Sequence, residues 1–160
     1  AIAVPTDIVN KWGDLKWENG DLGYPVAEAT EHNGGLVQKF QNGYVTRNPK
    51  GANNWVRGAI AAKYGELQTA KSKLGYPTSD EKSINGGAFQ EFENGNIYWS
   101  PATGAHVIYY GDIYKAWGEK GYEQGEYGYP TSDQESASGS ITFQGGKMSQ
   151  SNGKVREERN

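Results

Sequence analysis

The chain has 160 residues, a formal net charge of −3, no Cys, 23 Gly, 5 Trp and 11 Tyr. Mild acidity without a basic cluster excludes a nucleic-acid or anionic-lipid surface. No apolar run reaches the roughly 18–20 residues of a membrane helix, so no membrane span is expected. With thin aliphatic content, the core should be built from rings and short strands.

In chain order, the opening "AIAVP" is too short for a signal peptide. "TDIVNKWGDL" then reads as a short helix, with Asp7 to cap or favour its N-terminal end. Ile8 and Trp12 lie on one face, and the Gly after the ring serves as a C-terminal stop. A polar linker leads to "LGYP", where Pro fixes its own φ, biases the preceding Tyr towards extended backbone, and Gly supplies any angle the turn demands. "KFQNGYVTR" follows as a hairpin around Asn42-Gly43, a pair that favours positive φ at both turn positions.

The same series then recurs. "IAAKYG", "LGYPTSDE" and "AFQEFENGNIYWS" repeat helix, turn and hairpin, the last around Asn94-Gly95, and "HVIYY" supplies a further strand. "GDIYKAWG", "YGYPTSDQ" and "ITFQGG" repeat it again, with Gly145-Gly146 at the hairpin and a charge-dense tail, "GKVREERN", read as a solvated end. Gly23, Gly75 and Gly128 lie 52 and 53 residues apart. A fixed period of this size denotes repeats that must pack on one another. The expected fold is α+β: one domain of three pseudo-equivalent units, 1–53, 54–106 and 107–160. Each is a short helix, a Gly-Tyr-Pro turn and a small antiparallel β-meander.

These marks resemble the LGFP repeat, a module of secreted and cell-envelope proteins in bacteria with mycolic-acid-bearing walls. The resemblance covers nearly the whole chain and is fullest in the second unit. In the first, "YVTRNPKGANNW" replaces "IYWSPATGAHVI", and the third is shortened. The resemblance implies a secreted or wall-located, non-catalytic module. It also implies association with arabinogalactan–peptidoglycan polysaccharide and attachment to an envelope enzyme, in cis or in trans.

Helix isoleucines, helix rings and the three Phe residues read as core. Tyr24, Tyr76 and Tyr129 either close a lid with a bonded hydroxyl or line a cleft. Tyr98 and Trp99 alternate to opposite strand faces, so one can be buried and the other offered to a sugar. Trp17 and Tyr122 match each other, Thr69 breaks that series, and Trp55 is unique; each is a ligand candidate or an interface residue. Glu28, Asp80 and Asp133 recur after the turn, either to accept backbone N–H groups or to bind hydroxyls. Two unmatched His and no Cys give no material for a metal site or a catalytic triad, and no cofactor is expected. Adjacent Asp80 and Glu81 make a weak glycosidase pair. The remaining alternative to glycan binding is a protein–protein scaffold built on the same rings.

Overall fold

The computed structural model describes residues 2–160. It is an α+β protein of repeated units, with three helices and three antiparallel sheets. Helix α1 (Thr6–Asp14) precedes a four-stranded sheet, β1 (Thr30–His32), β2 (Gly35–Phe40), β3 (Gly43–Arg47) and β4 (Asn53–Arg57), in that spatial order. Helix α2 (Gly58–Glu66) precedes a second sheet of the same order, β5 (Lys82–Ile84), β6 (Gly87–Glu91), β7 (Gly95–Ser100) and β8 (Gly104–Tyr109). Helix α3 (Asp112–Glu119) precedes a three-stranded sheet, β9 (Ile141–Phe143), β10 (Gly146–Ser151) and β11 (Lys154–Arg159), with β10 central. One turn of 3₁₀-helix follows each α-helix, at Trp17–Asn19, Thr69–Lys71 and Tyr122–Gln124. No helix among the described residues is long and apolar enough to cross a membrane.

The contacts divide the chain into two compact units. One holds the residues up to Glu81 with Gln90–Glu93; the other holds Lys82–Phe89 with Asn94–Asn160. In the first, Ile8, Leu22, Phe40 and Val45 form one buried cluster, and Val37, Ala70 and Tyr76 form another. In the second, one larger cluster gathers Tyr98, Ile113, Trp117, Tyr127, Tyr129, Phe143 and Met148 with aliphatic neighbours.

Several local expectations are corrected. Neither Asp7 nor Asp112 caps its helix; both stand in the first turn, where Asp7 pairs with Arg47 at 2.8 Å and Asp112 accepts from Gln150 at 2.9 Å. Their charge still favours the helix N-terminus. Gly13, Gly65 and Gly118 lie inside the helices rather than stopping them. Each makes room for a ring: an added Cβ would stand 2.8 Å from the Trp17 ring, 2.6 Å from the Tyr44 hydroxyl and 2.6 Å from the Tyr122 ring, respectively. The left-handed backbone comes three and four residues later, at Lys16-Trp17, Gln68-Thr69 and Gly121-Tyr122.

The hairpins at Asn42-Gly43 and Asn94-Gly95 form without positive φ at either residue. Left-handed Asn-Gly pairs stand elsewhere, at Asn33-Gly34 between β1 and β2 and at Asn152-Gly153 between β10 and β11. The first two sheets therefore have one strand more than a three-stranded meander, and the "GKVREERN" tail supplies β11, paired with β10 from Ser151↔Lys154 to Gly146↔Arg159. The divergent "RNPKGANN" keeps the strand–turn–strand path because Asn48 Oδ1 accepts the backbone N–H groups of Lys50 and Ala52, both at 3.0 Å.

Candidate functional site

A single joint recurs three times and explains the repeated marks. The glycine of each Gly-Tyr-Pro turn has positive φ, at 75°, 81° and 71° for Gly23, Gly75 and Gly128. Its carbonyl accepts a hydrogen bond from the helix ring: from Trp12 Nε1 at 3.1 Å, from the Tyr64 hydroxyl at 3.0 Å and from Trp117 Nε1 at 3.1 Å. The N–H of the following tyrosine donates to a side-chain carbonyl or carboxylate oxygen of Gln41, Glu93 or Gln144, at 2.9, 2.8 and 3.0 Å. That oxygen lies so close that a Cβ on the glycine would meet it at 2.3–2.6 Å. The turn then runs antiparallel to the next strand through Pro25↔Phe40, Pro77↔Phe92 and Pro130↔Phe143. Helix, turn and sheet are thus tied at one point, which makes each repeat a stiff platform.

The three turn tyrosines have different surroundings. Tyr76 is 1% exposed; its hydroxyl donates to the His32 carbonyl, and its ring fills the space a side chain at Gly35 would need. Tyr129 is 7% exposed and donates to the Asn85 carbonyl at 2.9 Å, with its ring against Gly87. Each therefore seats in the hairpin that precedes it in sequence. Among the described residues no hairpin stands before Tyr24, which is 56% exposed.

Glu28, Asp80 and Asp133 also act alike, and not within their own turns. Asp80 Oδ1 accepts the Trp55 N–H of β4 at 3.0 Å, Asp133 Oδ1 accepts the Val107 N–H of β8 at 3.1 Å, and Glu28 accepts the Ala3 N–H at 3.2 Å. The second oxygen of Asp80 holds Lys11 at 2.7 Å, while neighbouring Glu81 holds Arg57 at 3.3 Å. Both ring nitrogens of His106 face acceptors, Asp133 at 3.1 Å and the Thr103 carbonyl at 2.7 Å.

Tyr98 is buried, stacked on Phe89 with centroids 5.1 Å apart and edge-on to Trp117 at 4.9 Å; burial pushes its hydroxyl pKa far up. Trp99, the next residue, is half-buried. Trp55 is also half-buried and carries the Arg57 guanidinium 5.1 Å from its ring centre. Trp17 and Tyr122 are 44% and 38% exposed, each packed over its helix glycine and against the helix Trp, at 5.2 and 5.5 Å. Among the described residues no group of three or more His, Asp or Glu is placed to hold a metal ion.

The first unit also contains an open groove of about 780 Å³ that no local motif marks. Its lining brings Lys39 and Tyr44 of the first sheet to the small residues Gly58, Ala61, Ala62 and Gly65 of α2, with Asp21 and Arg57 beside them. Arg57 is fixed by Asp21 at 2.9 Å and by Glu81. Burial raises the pKa of the Tyr44 hydroxyl, so at neutral pH it is a neutral group able both to donate and to accept. The α2 side of the groove is lined by small residues, and Ala61 follows Ile60 where Tyr114 follows Ile113. Thr69 stands where the other repeats have Trp17 and Tyr122, and the Tyr44 ring takes their place over the helix glycine, Gly65. In the second unit Tyr114 contacts Tyr110 and Tyr122, at 5.0 and 5.5 Å, and accepts a hydrogen bond from Asn96 at 3.2 Å.

A helix-and-sheet unit recurring with one ring-to-glycine joint defines a repeat protein of stiff α+β modules. The chain belongs to the LGFP repeat family: the family model matches residues 22–72 and 74–125, two tandem copies. The third helix lies within the second match, and the third sheet lies beyond the matched residues. The LGFP repeat is a repeat module and not a known catalytic family. No curated protein matches the chain.

Proposed function

We propose that this chain is a non-catalytic, cell-wall-binding module that holds wall polysaccharide of the arabinogalactan–peptidoglycan type and anchors an envelope enzyme outside the cell. One observation carries the reading. Trp17 and Tyr122, at matching places in two repeats, are each held over a helix glycine with the ring substantially in solvent. A stiffly held ring with an apolar face and a polar edge suits sugar C–H groups and hydroxyls. Several weak contacts on one body gain avidity along a polymer. A hydrolase is disfavoured because Asp80 and Glu81 are engaged by Lys11 and Arg57. Titration of the chain with soluble wall polymer, followed by Trp fluorescence, tests the reading. Trp17→Ala should weaken binding by about tenfold, and unchanged affinity in a folded Trp17→Ala variant would remove this ring from the account.

A second reading, a protein–protein scaffold of the envelope, is favoured by Tyr24. Its counterparts Tyr76 and Tyr129 seat in protein hairpins, whereas Tyr24, with nearby-in-sequence Val26, is exposed. Binding to purified envelope protein but not to wall polymer would select it.

A further inference from the structure

Resting on the wall-glycan reading, we propose that the groove between the first sheet and α2 is the principal saccharide site, and that it takes a short stretch of glycan bearing an anionic group. The juxtaposition that assigns it is Tyr44, Lys39 and Arg57 lining one groove with α2 at Ala61, where the third helix carries Tyr114. Its volume, about 780 Å³, lies within the roughly 300–1,000 Å³ typical of small-molecule sites and has room for more than one sugar ring.

Three features set the chemistry. Tyr44 offers an aromatic edge and a hydroxyl, held by its edge-on contact with Tyr64 at 5.8 Å. A Cβ added at Gly58 would meet nothing within 4 Å, so the backbone of α2 is approachable there. Arg57 is already engaged by two carboxylates, but Lys39 is exposed and makes no ion pair among the described residues. A cation standing free beside a polar groove is matched by a carboxylate or phosphate on the ligand.

The second unit shows that the fold can fill the corresponding place. There Tyr114 replaces Ala61, and Tyr110 donates to Asn96 at 2.6 Å while Asn96 donates to Tyr114 at 3.2 Å. Rings and amide thus bond to one another at the place that the groove occupies in the first unit. The site is thus expected once per chain.

The test is co-sedimentation of the full chain with protein-free wall polymer, intact and after mild acid removal of arabinogalactan, at low and high salt. Wild-type chain should bind, and less at high salt. Ala61→Tyr, which copies the residue of the second unit, should lose binding by about tenfold or more. Lys39→Ala, an exposed change without cost to the fold, should lose about tenfold at low salt and flatten the salt dependence. Loss of wild-type binding on acid treatment places the anionic group in the arabinogalactan-linked fraction; retention places it in the peptidoglycan. If Lys39→Ala and Ala61→Tyr bind as wild type does, the groove assignment is overturned while the wall-binding reading stands. If wild-type chain binds neither preparation, both fall.

Discussion

Removing the turn tyrosine should have very unequal consequences at Tyr76 and Tyr24, although the two residues occupy the same place in successive repeats of one unit. Tyr76 is fully enclosed, with its hydroxyl on the His32 carbonyl and its ring against Gly35. Truncation to Ala leaves a ring-sized cavity, and large-to-small aromatic changes in cores cost about 3–5 kcal/mol. Tyr76→Phe keeps the ring and removes only the hydroxyl bond, a loss of about 1–1.5 kcal/mol. Tyr24 keeps its backbone bond to Gln41 but leaves more than half its side-chain surface in water, so Tyr24→Ala should stay within about 0.5 kcal/mol. Urea denaturation followed by Trp fluorescence measures both, read as midpoint shifts at constant m-value. A Tyr24→Ala cost equal to that of Tyr76→Ala would refute the reasoning, because it would mean that the tyrosine acts through its own turn and not through the hairpin that receives it.

Other consequences are equally direct. Gly75→Ala forces a left-handed alanine and pushes a Cβ to 2.4 Å from Glu93, so it should cost about 2–3 kcal/mol; Gly51→Ala, at φ 94° in open space, should cost only the backbone strain of about 1–2 kcal/mol. Thermal unfolding should rank the two accordingly. Asp80→Asn keeps an acceptor for the Trp55 N–H and loses only a part-exposed ion pair with Lys11, so its Tm should fall less than that of Asp80→Ala. Burial raises the hydroxyl pKa values of Tyr64 and Tyr98 above the unfolded value near 10. Above that pH the unfolded chain loses protons that the folded chain retains. Stability should therefore be flat to about pH 9 and fall beyond pH 10 by as much as about 1.4 kcal/mol per pH unit for each such tyrosine. Absorbance at alkaline pH should show these two hydroxyls ionising only with unfolding.

The repeat, the three helices and the family were legible because they rest on local signals. Ile8 with Trp12, Ile60 with Tyr64 and Ile113 with Trp117 carry the helix period, and Gly-Tyr-Pro marks each turn at a fixed step. What lay hidden depends on contacts between distant residues. Gly13 reads as a helix stop, yet its role is to admit the Trp17 ring; Gly75 supplies the positive φ that the turn motif implies, and the close Glu93 carboxylate beside it carries no local signal. Asn42-Gly43 has the composition of a left-handed turn, but the Gly-Tyr-Pro segment takes up its backbone through Gln41 N–H to Tyr24 O at 2.9 Å and Asn42 N–H to Leu22 O at 3.0 Å. Among the candidate site residues, spacing could not tell exposed Tyr24 from enclosed Tyr76, since the enclosure of Tyr76 comes from distant residues, the His32 carbonyl and Gly35. The groove left no local motif: Ala61 lacks the ring that Tyr114 provides in the second unit, and only the fold brings Lys39 and Tyr44 to that place.

The central claim, that this chain holds wall polysaccharide, is tested most directly by a pull-down of the purified chain on isolated, protein-free cell wall before and after mild acid removal of arabinogalactan. Retention on the intact wall, reduced by excess soluble polymer, is the predicted result. Absence of retention on both preparations, from a chain shown to be folded, would contradict the account and give the scaffold reading priority.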